Sequence, residues 1–339
     1  MTNKNAVCAP LFRSLAINPH PLLIALLALA SWQSSQAMAQ AYPSKPIRVV
    51  VPFAAGSGLD NTVRLMGDRF QKITGQPLVL DNKGGAGGII GNEAVAKAAP
   101  DGYTIGLTAI NMLVINPHMY KDLPYDPIKS FAPITQVMNT NHVLAVTSDV
   151  PATTLGEFVA WVKSNPGKVN IASNGAGTTP HLLAVLLNQN TGTDVTAIHY
   201  KGGGEAIKDF LGGHVQSIFG SPLQMMPYVP SGKAKILAIT KARRAEVLPN
   251  TPTFIELGYP NMVVDIWTAY IAPAGTPEPI VQKLYTEFAR ILAMPDVIKV
   301  MEGEGQTIVA STPAEFGQMV RTELKRWEGV VKASGWKVQ

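Results

Sequence analysis

Residues 47–70 read IRVVVPFAAGSGLDNTVRLMGDRF and hold three kinds of local structure in succession. A mostly β-branched run over Ile47–Val51 ends at Pro52, which is typical of a buried strand in a parallel sheet. The loop 53–59 carries glycines, and apolar side chains then recur at helical spacing between Val63 and Phe70. Strand, glycine loop and helix in this order predict an α/β fold with the loop at the carboxyl end of the strand.

The same order continues along the chain. Residues 78–80 predict a second strand, and a glycine loop follows over 82–91. An alanine-rich helix is expected from Asn92 and stops before Pro100, after which 103–107 predict a third strand. This β-α-β-α-β succession indicates a parallel sheet with right-handed crossovers.

The second half of the chain repeats the pattern behind a clear helix start. Thr154 and Glu157 have the spacing of a capping box, so a helix is expected to run to about Asn165. Thr179 followed by Pro180 predicts another helix N-terminus. Strands are expected at 169–173, 195–200, 215–219 and 236–239. These elements predict a second α/β domain.

Two extended stretches, 143–147 and 265–272, flank this second unit, and only helices are expected after them. Because those helices need a sheet to cover, the chain is expected to return to the first domain. The sequence therefore predicts two doubly wound α/β domains joined by two crossover strands. We expect the first domain to comprise 40–142 and 266–339 and the second, inserted domain to comprise 143–265.

The first 39 residues predict a cleaved export signal. Lys4 and Arg13 precede nine uninterrupted apolar residues, 22–30, and the small-residue triplet 37–39 follows. Cleavage is expected after Ala39. A retained membrane anchor is disfavoured, because nine apolar residues fall well short of the ~20 that a spanning helix needs.

The sequence lacks the residues that several classes of function require. The net charge is +5, but no Lys/Arg cluster of the kind that follows phosphates is present, so nucleic acid is not an expected partner. Neither a nucleophile elbow nor a phosphate-binding P-loop occurs, and the glycines at 85–91 miss the dinucleotide fingerprint by one residue. The six histidines have no metal-ligand spacing. We therefore expect no catalytic residue, no cofactor and no metal.

Four glycine-rich loops follow predicted strands and precede predicted helices: 53–58, 83–88, 173–179 and 200–204. Glycine lets a ligand approach the backbone closely, and N–H groups at helix starts carry partial positive charge. Such loops form an anion site that needs no lysine or arginine. Since ligands bind at the carboxyl ends of strands in open α/β sheets, the sequence predicts a ligand cleft shared by the two domains.

Two ionisable residues beside these loops have alternative roles. Asp60 lies in the first turn of a predicted helix, where it either caps that helix or accepts a hydrogen bond from a ligand amine or an ordered water. His181 lies in the first turn after Pro180, where it either orients the loop or takes part in acid–base chemistry. The other histidines are expected to be capping, packing or surface residues.

Ordered motifs extend over almost the whole predicted mature chain. They are Val51-Pro52-Phe53 with Gly56 and Asp60, Asp81-Asn82 with Gly84 and Ala86-Gly87-Gly88, Ala99 to Thr104, Ala172-Ser173 with Gly175, Gly177-Thr178 and His181-Leu182, His199 to Gly202, Leu211-Gly212-Gly213 with Val215-Gln216 and Phe219, and Leu248-Pro249 with Pro252-Thr253. Together these motifs resemble the Bug-type solute receptors of tripartite tricarboxylate transporters.

The resemblance implies a periplasmic binding protein that closes on a small organic acid. It implies that loop amides, hydroxyls and ordered waters hold the ligand carboxylate, and that transporter membrane subunits are the partners. A monomer without a cofactor is expected. With Asp60 and His181 included, the expected ligand-binding residues are Phe53, Gly56, Ser57, Asp60, Ala86, Gly87, Ser173, Gly175, Thr178, Thr179, His181, Tyr200, Lys201 and Gly202.

The sequence departs from the family pattern at 53–58, where the family more often has a loop richer in proline and glycine. Ser57 adds a hydroxyl there, which leaves open whether the ligand is a di- or tricarboxylate, an acidic amino acid or an aromatic acid. Two other functions stay open: a sensor that presents its closed form to a membrane kinase, and a periplasmic hydrolase or isomerase. The last is disfavoured, because the sequence offers neither a nucleophile–base pair nor a metal site.

Overall fold

The computed structural model describes residues 42–53, 55, 58–175, 177–200 and 202–333. The predicted signal 1–39 and the candidate residues Gly56, Ser57 and Lys201 lie outside these ranges. The chain from Pro43 onward forms one compact unit, which contains both sheets.

The strands are β1 (Ile47–Val51), β2 (Leu78–Asn82), β3 (Thr104–Ala109), β4 (Phe131–Thr140), β5 (Val143–Thr147), β6 (Asn170–Ser173), β7 (Thr196–His199), β8 (Ser217–Gly220), β9 (Ala234–Ile239), β10 (Ile266–Pro273) and β11 (Thr307–Ile308). The α-helices are α1 (Gly58–Thr74), α2 (Ile89–Ala96), α3 (Asn116–Met119), α4 (Leu155–Ser164), α5 (Thr179–Thr191), α6 (Gly203–Leu211), α7 (Pro222–Met225), α8 (Glu278–Leu292), α9 (Pro295–Gly303) and α10 (Pro313–Ala333). One π-helical turn, Asn111–Ile115, precedes α3.

The strands form two mixed sheets. The first sheet has the order β11-β4-β10-β3-β1-β2, in which β1, β2 and β3 are parallel and β10 runs antiparallel to both β3 and β4. The second has the order β7-β6-β8-β5-β9, in which β6, β7 and β8 are parallel and β5 runs antiparallel to β8 and β9. The predicted architecture of two α/β domains is confirmed.

The chain passes between the sheets twice, and both passages start or end at the edges that carry the glycine loops. The first passage, Asn141 and His142, joins the carboxyl end of β4 to the amino end of β5. The second, 240–265, leads from β9 back to β10. Because β4 ends at the same edge as β1 and β3, and β5 starts at the edge where β6 and β8 end, the glycine loops of the two sheets face each other.

Asn141 ties the two passages together. Its buried amide donates hydrogen bonds to the carbonyls of Thr240 (3.4 Å) and Val264 (3.1 Å). It also donates to the Asp265 carboxylate at 2.9 Å. The backbone N–H of Thr240 donates to the His142 carbonyl at 2.9 Å, and the Thr240 hydroxyl accepts from the His142 N–H at 3.0 Å. The passages therefore form one bonded pivot, called the hinge below.

Each sheet with its helices is called a lobe below. A second set of contacts joins the two lobes on the side of the hinge away from β1 and β6. The Lys241 ammonium donates to the Thr307 hydroxyl at 3.0 Å. Leu223 lies beside Gly305: a Cβ added to the glycine would lie 3.6 Å from Leu223 Cγ, which is an ordinary van der Waals distance. These contacts border a cavity of about 300 Å³, which Asn141 also lines.

Helix signals in the sequence are matched closely. Thr154 and Glu157 form the expected capping box at α4, and Thr312 with Glu315 makes the same pair of bonds at α10. At α5 the N-cap is Thr178, one residue before the expected Thr179. The prediction that only helices follow 272 is wrong, because β11 pairs with β4 at the sheet edge. The domain bounds stay a prediction.

The cores are formed by apolar faces that the strand and helix patterns share. In the first lobe Tyr270 stacks on Phe288 at 4.2 Å between ring centroids, and Phe70 packs against the same ring at 5.6 Å. Trp267 and Trp327 are fully buried and together fill one core. Within the described part of the chain, no helix is long and apolar enough to cross a membrane.

Candidate ligand-binding cleft

A cavity of about 280 Å³ lies between the two sets of loops. Both lobes contribute to its lining, and none of the described lining residues is Asp, Glu, Lys or Arg. The lining residues are Phe53, Gly87, Asn111, Asn116, Met119, Tyr120, His142, Asn174, Gly177, Thr178, Thr179, Pro180 and Ile266. The cleft thus offers hydrogen-bonding groups and apolar surface without a formal charge from these residues.

The loop between β6 and α5 is held by its own hydrogen bonds. The Thr178 hydroxyl donates to the Gly175 carbonyl at 2.7 Å, and the Ser173 hydroxyl donates to the same oxygen at 3.2 Å. Gly175 and Gly177 have φ angles of 128° and 73°, which only glycine adopts without strain. The sequence needs glycine at both positions to turn the chain from strand into helix.

Helix α5 begins at the cleft with its N-terminal amides uncapped by a side chain. Its N-cap, Thr178, makes no capping hydrogen bond, because that hydroxyl is engaged with Gly175. A helix start with orphan N–H groups attracts an anion through both hydrogen bonding and the helix dipole. Thr178 and Thr179 therefore lie at a helix start of the kind that attracts an anion, and their contact with a ligand stays a prediction.

Two histidines support this loop from behind. His181 Nδ1 accepts from the Gly177 N–H at 3.0 Å, and His199 Nδ1 lies 2.7 Å from the Ser173 hydroxyl. The rings meet edge to face at 4.7 Å between centroids. Burial and, second, the neighbouring His199 lower the pKa of His181 to about 4. His181 is therefore neutral near pH 7, and its bond to Gly177 favours the loop-orienting alternative over acid–base chemistry.

In the first lobe, Asp60 holds the loop that begins at Phe53. The Asn82 amide donates to the Asp60 carboxylate at 2.9 Å and to the Phe53 carbonyl at 3.1 Å. Asp60 is fully buried and also pairs with Arg64 at 2.9 Å. This geometry gives Asp60 a structural role beneath the loop, whereas Phe53 itself lines the cavity.

The loop before α2 is fixed by two asparagines that the sequence analysis missed. The Gly87 carbonyl accepts from the Asn111 amide at 2.9 Å and from the Asn116 amide at 3.3 Å. Ala86 has a positive φ of 46°, which is strained for a residue with a side chain. A Cβ on Gly88 would lie only 2.1 Å from Met112 Cε, so the Met112 side chain would have to shift to admit it, and the φ of 90° would strain any residue other than glycine.

The remaining candidates lie beside the cavity and do not line it. Ser173 and Gly175 build the loop under Thr178, and Ala86 precedes Gly87. The Tyr200 backbone N–H donates to the Ser173 carbonyl at 2.9 Å. Burial and the nearby Asp209 carboxylate raise the pKa of the Tyr200 phenol. Gly202 is the N-cap of α6. Their contact with a ligand stays a prediction.

Several lining residues were not among the predicted ligand-binding residues, although two of them, Asn174 and Gly177, lie in the predicted loop 173–179. Those outside the four loops are Asn111, Asn116, Met119, Tyr120, His142, Pro180 and Ile266. Asn111 follows the carboxyl end of β3, which is a position where ligands are expected and a signal that was available. His142 has no local signal, because its place in the cleft follows from the passage between the sheets. No cluster of His, Cys, Asp or Glu in the described ranges has the geometry to hold a metal ion.

Comparison with known proteins decides the family. The family described as tripartite tricarboxylate transporter family receptor matches residues 62–336. The chain belongs to this family. Protein BugT of Bordetella pertussis is 34% identical over 302 residues, which cover 89% of this chain and 93% of BugT.

Solved structures of family proteins share the fold. The periplasmic binding protein BugD is 34% identical and superposes with a TM-score of 0.74, covering 88% of this chain and 100% of its own. Rpa4515 of R. palustris, solved with adipate, is 30% identical with a TM-score of 0.76 over 87% and 98% of the two chains. MatC of Rhodopseudomonas palustris, with bound malate, is 33% identical with a TM-score of 0.73 over 86% and 100%. The chain is thus a solute-binding receptor of the type that BugD represents.

Proposed function

We propose that this receptor captures a small organic acid in the cleft between its lobes and delivers it to the membrane subunits of a tripartite tricarboxylate transporter. The observation that carries the proposal is the cavity of about 280 Å³ lined by both lobes, with the start of α5 at its wall. Relatives solved with adipate and malate support a carboxylate as the ligand.

The proposed grip on the carboxylate uses uncharged groups. The N-terminal amides of α5 and the side chains of Asn111 and Asn174 supply hydrogen bonds, and the helix dipole supplies a favourable potential. The loop is already held by Thr178 and His181, so little ordering is needed when the ligand binds. The predicted contacts from Gly56 and Ser57 are part of this proposal, and the predicted contact from Lys201 is its one exception, because that side chain is cationic.

Binding is proposed to act through closure of the lobes about the hinge. A ligand that contacts both lobes stabilises the closed form by its differential affinity for closed over open. Moving a population from 1:99 to 99:1 needs a preference of about 10⁴-fold. We infer that the membrane subunits respond to the closed form and that the receptor leaves its ligand chemically unchanged.

The location of this step is proposed to be the periplasm, and the receptor is proposed to act as a monomer. The predicted signal 1–39 and the periplasmic relative BugD support export.

A thermal-shift screen tests the proposal. The purified protein is heated with malate, succinate, adipate, glutamate or nicotinate, and with an uncharged amide of each acid as the control. A true ligand at 100 times its Kd raises the free energy of unfolding by about 2.7 kcal/mol, and its amide does not. If no acid shifts the transition, or if the amides shift it equally, carboxylate capture is wrong. Conversion of a bound acid to product would instead indicate an enzyme.

A further inference from the structure

His142 occupies the hinge end of the cleft. It follows β4 and precedes β5, and it lines both the main cavity and a narrow neighbouring cavity of about 50 Å³. Asn174 and Pro180 also line both spaces, so the imidazole stands where the two cavities meet. A ligand that extends from α5 toward the hinge would reach this ring.

One ring nitrogen of His142 lacks a partner. Nδ1 is buried and makes no hydrogen bond to the described residues. Buried polar atoms are paired in the great majority of cases, so an unpaired one on a residue that lines a cavity points to a partner from outside the chain. Nδ1 either donates or accepts one hydrogen bond, and a hydroxyl or carboxylate oxygen at the far end of an organic acid would supply the partner.

The backbone under this ring is fixed from both passages. The His142 N–H donates to the Thr240 hydroxyl, and the His142 carbonyl accepts from the Thr240 N–H. Burial lowers the pKa of His142 to about 4, so the ring is neutral near pH 7. The ring therefore offers an uncharged hydrogen-bonding group on a backbone whose position is fixed.

The sheet order sets how far apart the two ends of the ligand lie. In the second sheet, β8 separates β6, which leads into the Thr178 loop, from β5, which His142 precedes. With neighbouring strands about 4.8 Å apart, two spacings give roughly 10 Å between these strand ends. A carboxylate at the start of α5 leaves room for a chain of several carbons before the far end reaches His142.

We propose that His142 is a specificity-determining residue that hydrogen-bonds the oxygen function at the far end of the bound acid. The receptor would then select acids that carry a terminal oxygen group over acids of the same length that end in a methyl group. This inference rests on the proposed function, and it adds a contact that the glycine loops do not supply.

Matched pairs of acids and a shape-conserving substitution test this inference. Affinities are measured calorimetrically for succinate and 4-hydroxybutyrate against butyrate, and for adipate and 6-hydroxyhexanoate against hexanoate. In the unchanged protein, at least one oxygen-ended acid is expected to bind about tenfold or more tightly than its methyl-ended partner. His142→Phe is expected to reduce that ratio to within about twofold while the methyl-ended acid keeps its affinity. His214→Phe, at an exposed histidine far along the chain, is the control and leaves the ratio unchanged.

The outcomes separate this inference from the function on which it rests. If none of the acids binds the unchanged protein, carboxylate capture fails and the inference falls with it. If oxygen-ended acids bind and His142→Phe keeps the preference, or weakens both members of a pair equally, the role of His142 alone is wrong.

A second measurement covers the case in which His142→Phe does not fold. Nitrogen chemical shifts of the histidine rings are recorded in the unchanged protein, with and without succinate and adipate, and His142→Asn supplies the assignment. A shift of the His142 Nδ1 resonance on ligand addition is expected, because that atom gains a hydrogen bond. Absence of a shift at His142 with a ligand that binds would overturn the inference.

Discussion

At the residue scale, two histidines at the cleft make folding sensitive to acid. Burial lowers the pKa of His142 and, with help from His199, that of His181 to about 4. Between pH 6.5 and 4 the unfolded chain therefore binds protons that the folded chain does not. The free energy of unfolding should fall as pH decreases through this window, by about 1.4 kcal/mol per pH unit for each histidine.

Urea unfolding at about pH 7 and about pH 5 measures this effect directly. The double variant His142→Phe with His181→Gln should show a much smaller loss than the unchanged protein, because both groups that take up protons only on unfolding are gone. His214→Gln is the matched control at an exposed histidine, and it should retain the full loss. Equal losses in all three proteins would show that the two buried rings do not govern the acid sensitivity.

At the scale of elements, the two passages between the sheets depend on Asn141. The Asn141→Ala substitution removes its hydrogen bonds to Thr240, Val264 and Asp265 and leaves their acceptors without this donor. We expect the free energy of unfolding to fall by about 2 kcal/mol or more. Asn190→Ala is the control, because it removes a single hydrogen bond from the Asn190 side-chain amide within α5. It should lower the free energy of unfolding by less. Equal costs would mean that the hinge is held by other contacts.

Elements with strong local signals could be predicted from the sequence, and those defined by tertiary pairing could not. The run at Ile47–Val51 and the box at Thr154 carry their structure in a few neighbouring residues. Strand β4 lacks a clean alternation, contains Pro133 and pairs with β10 through two register shifts. Its stability comes from burial between β10 and β11, which no local pattern reports.

The same division holds for the site. Glycines at 87, 175 and 177 indicated the loops in the sequence, because the backbone at each of these positions has a positive φ angle. Asn116 and His142 enter the cleft only when the π-helical turn and the hinge are folded. The sequence therefore predicts which loops form the site better than it predicts which side chains complete it.

At the scale of the whole molecule, Gly177 and Met119 meet across the cleft. A Cβ on Gly177 would lie 2.2 Å from Met119 Cε, and Gly177 also has a φ angle of 73°. Gly177→Ala should strain the loop and force either the Met119 side chain or the lobes to shift, and so weaken binding of an acid identified by thermal shift by about tenfold or more. Met119→Ala in the same chain should restore part of the loss, because it removes the obstructing sulfur and methyl group.

The two effects are separated by a double-mutant cycle measured by calorimetry. Met119→Ala alone supplies the fourth corner, and a coupling energy well above zero indicates that the two residues act through their contact. If the double variant binds as weakly as Gly177→Ala, backbone strain in the loop explains the loss and the lobes do not meet here in the bound form.

The contacts from Lys241 to Thr307 and from Leu223 to Gly305 lie beyond the hinge from the ligand. A rotation about the hinge that narrows the cleft must move the lobes apart on the opposite side of the hinge, where these contacts lie. In the proposed closure, the balance between open and closed receptor is then partly set by residues that do not contact the ligand. Substitutions at these contacts would therefore change the affinity for the acid without changing the residues that line the cleft.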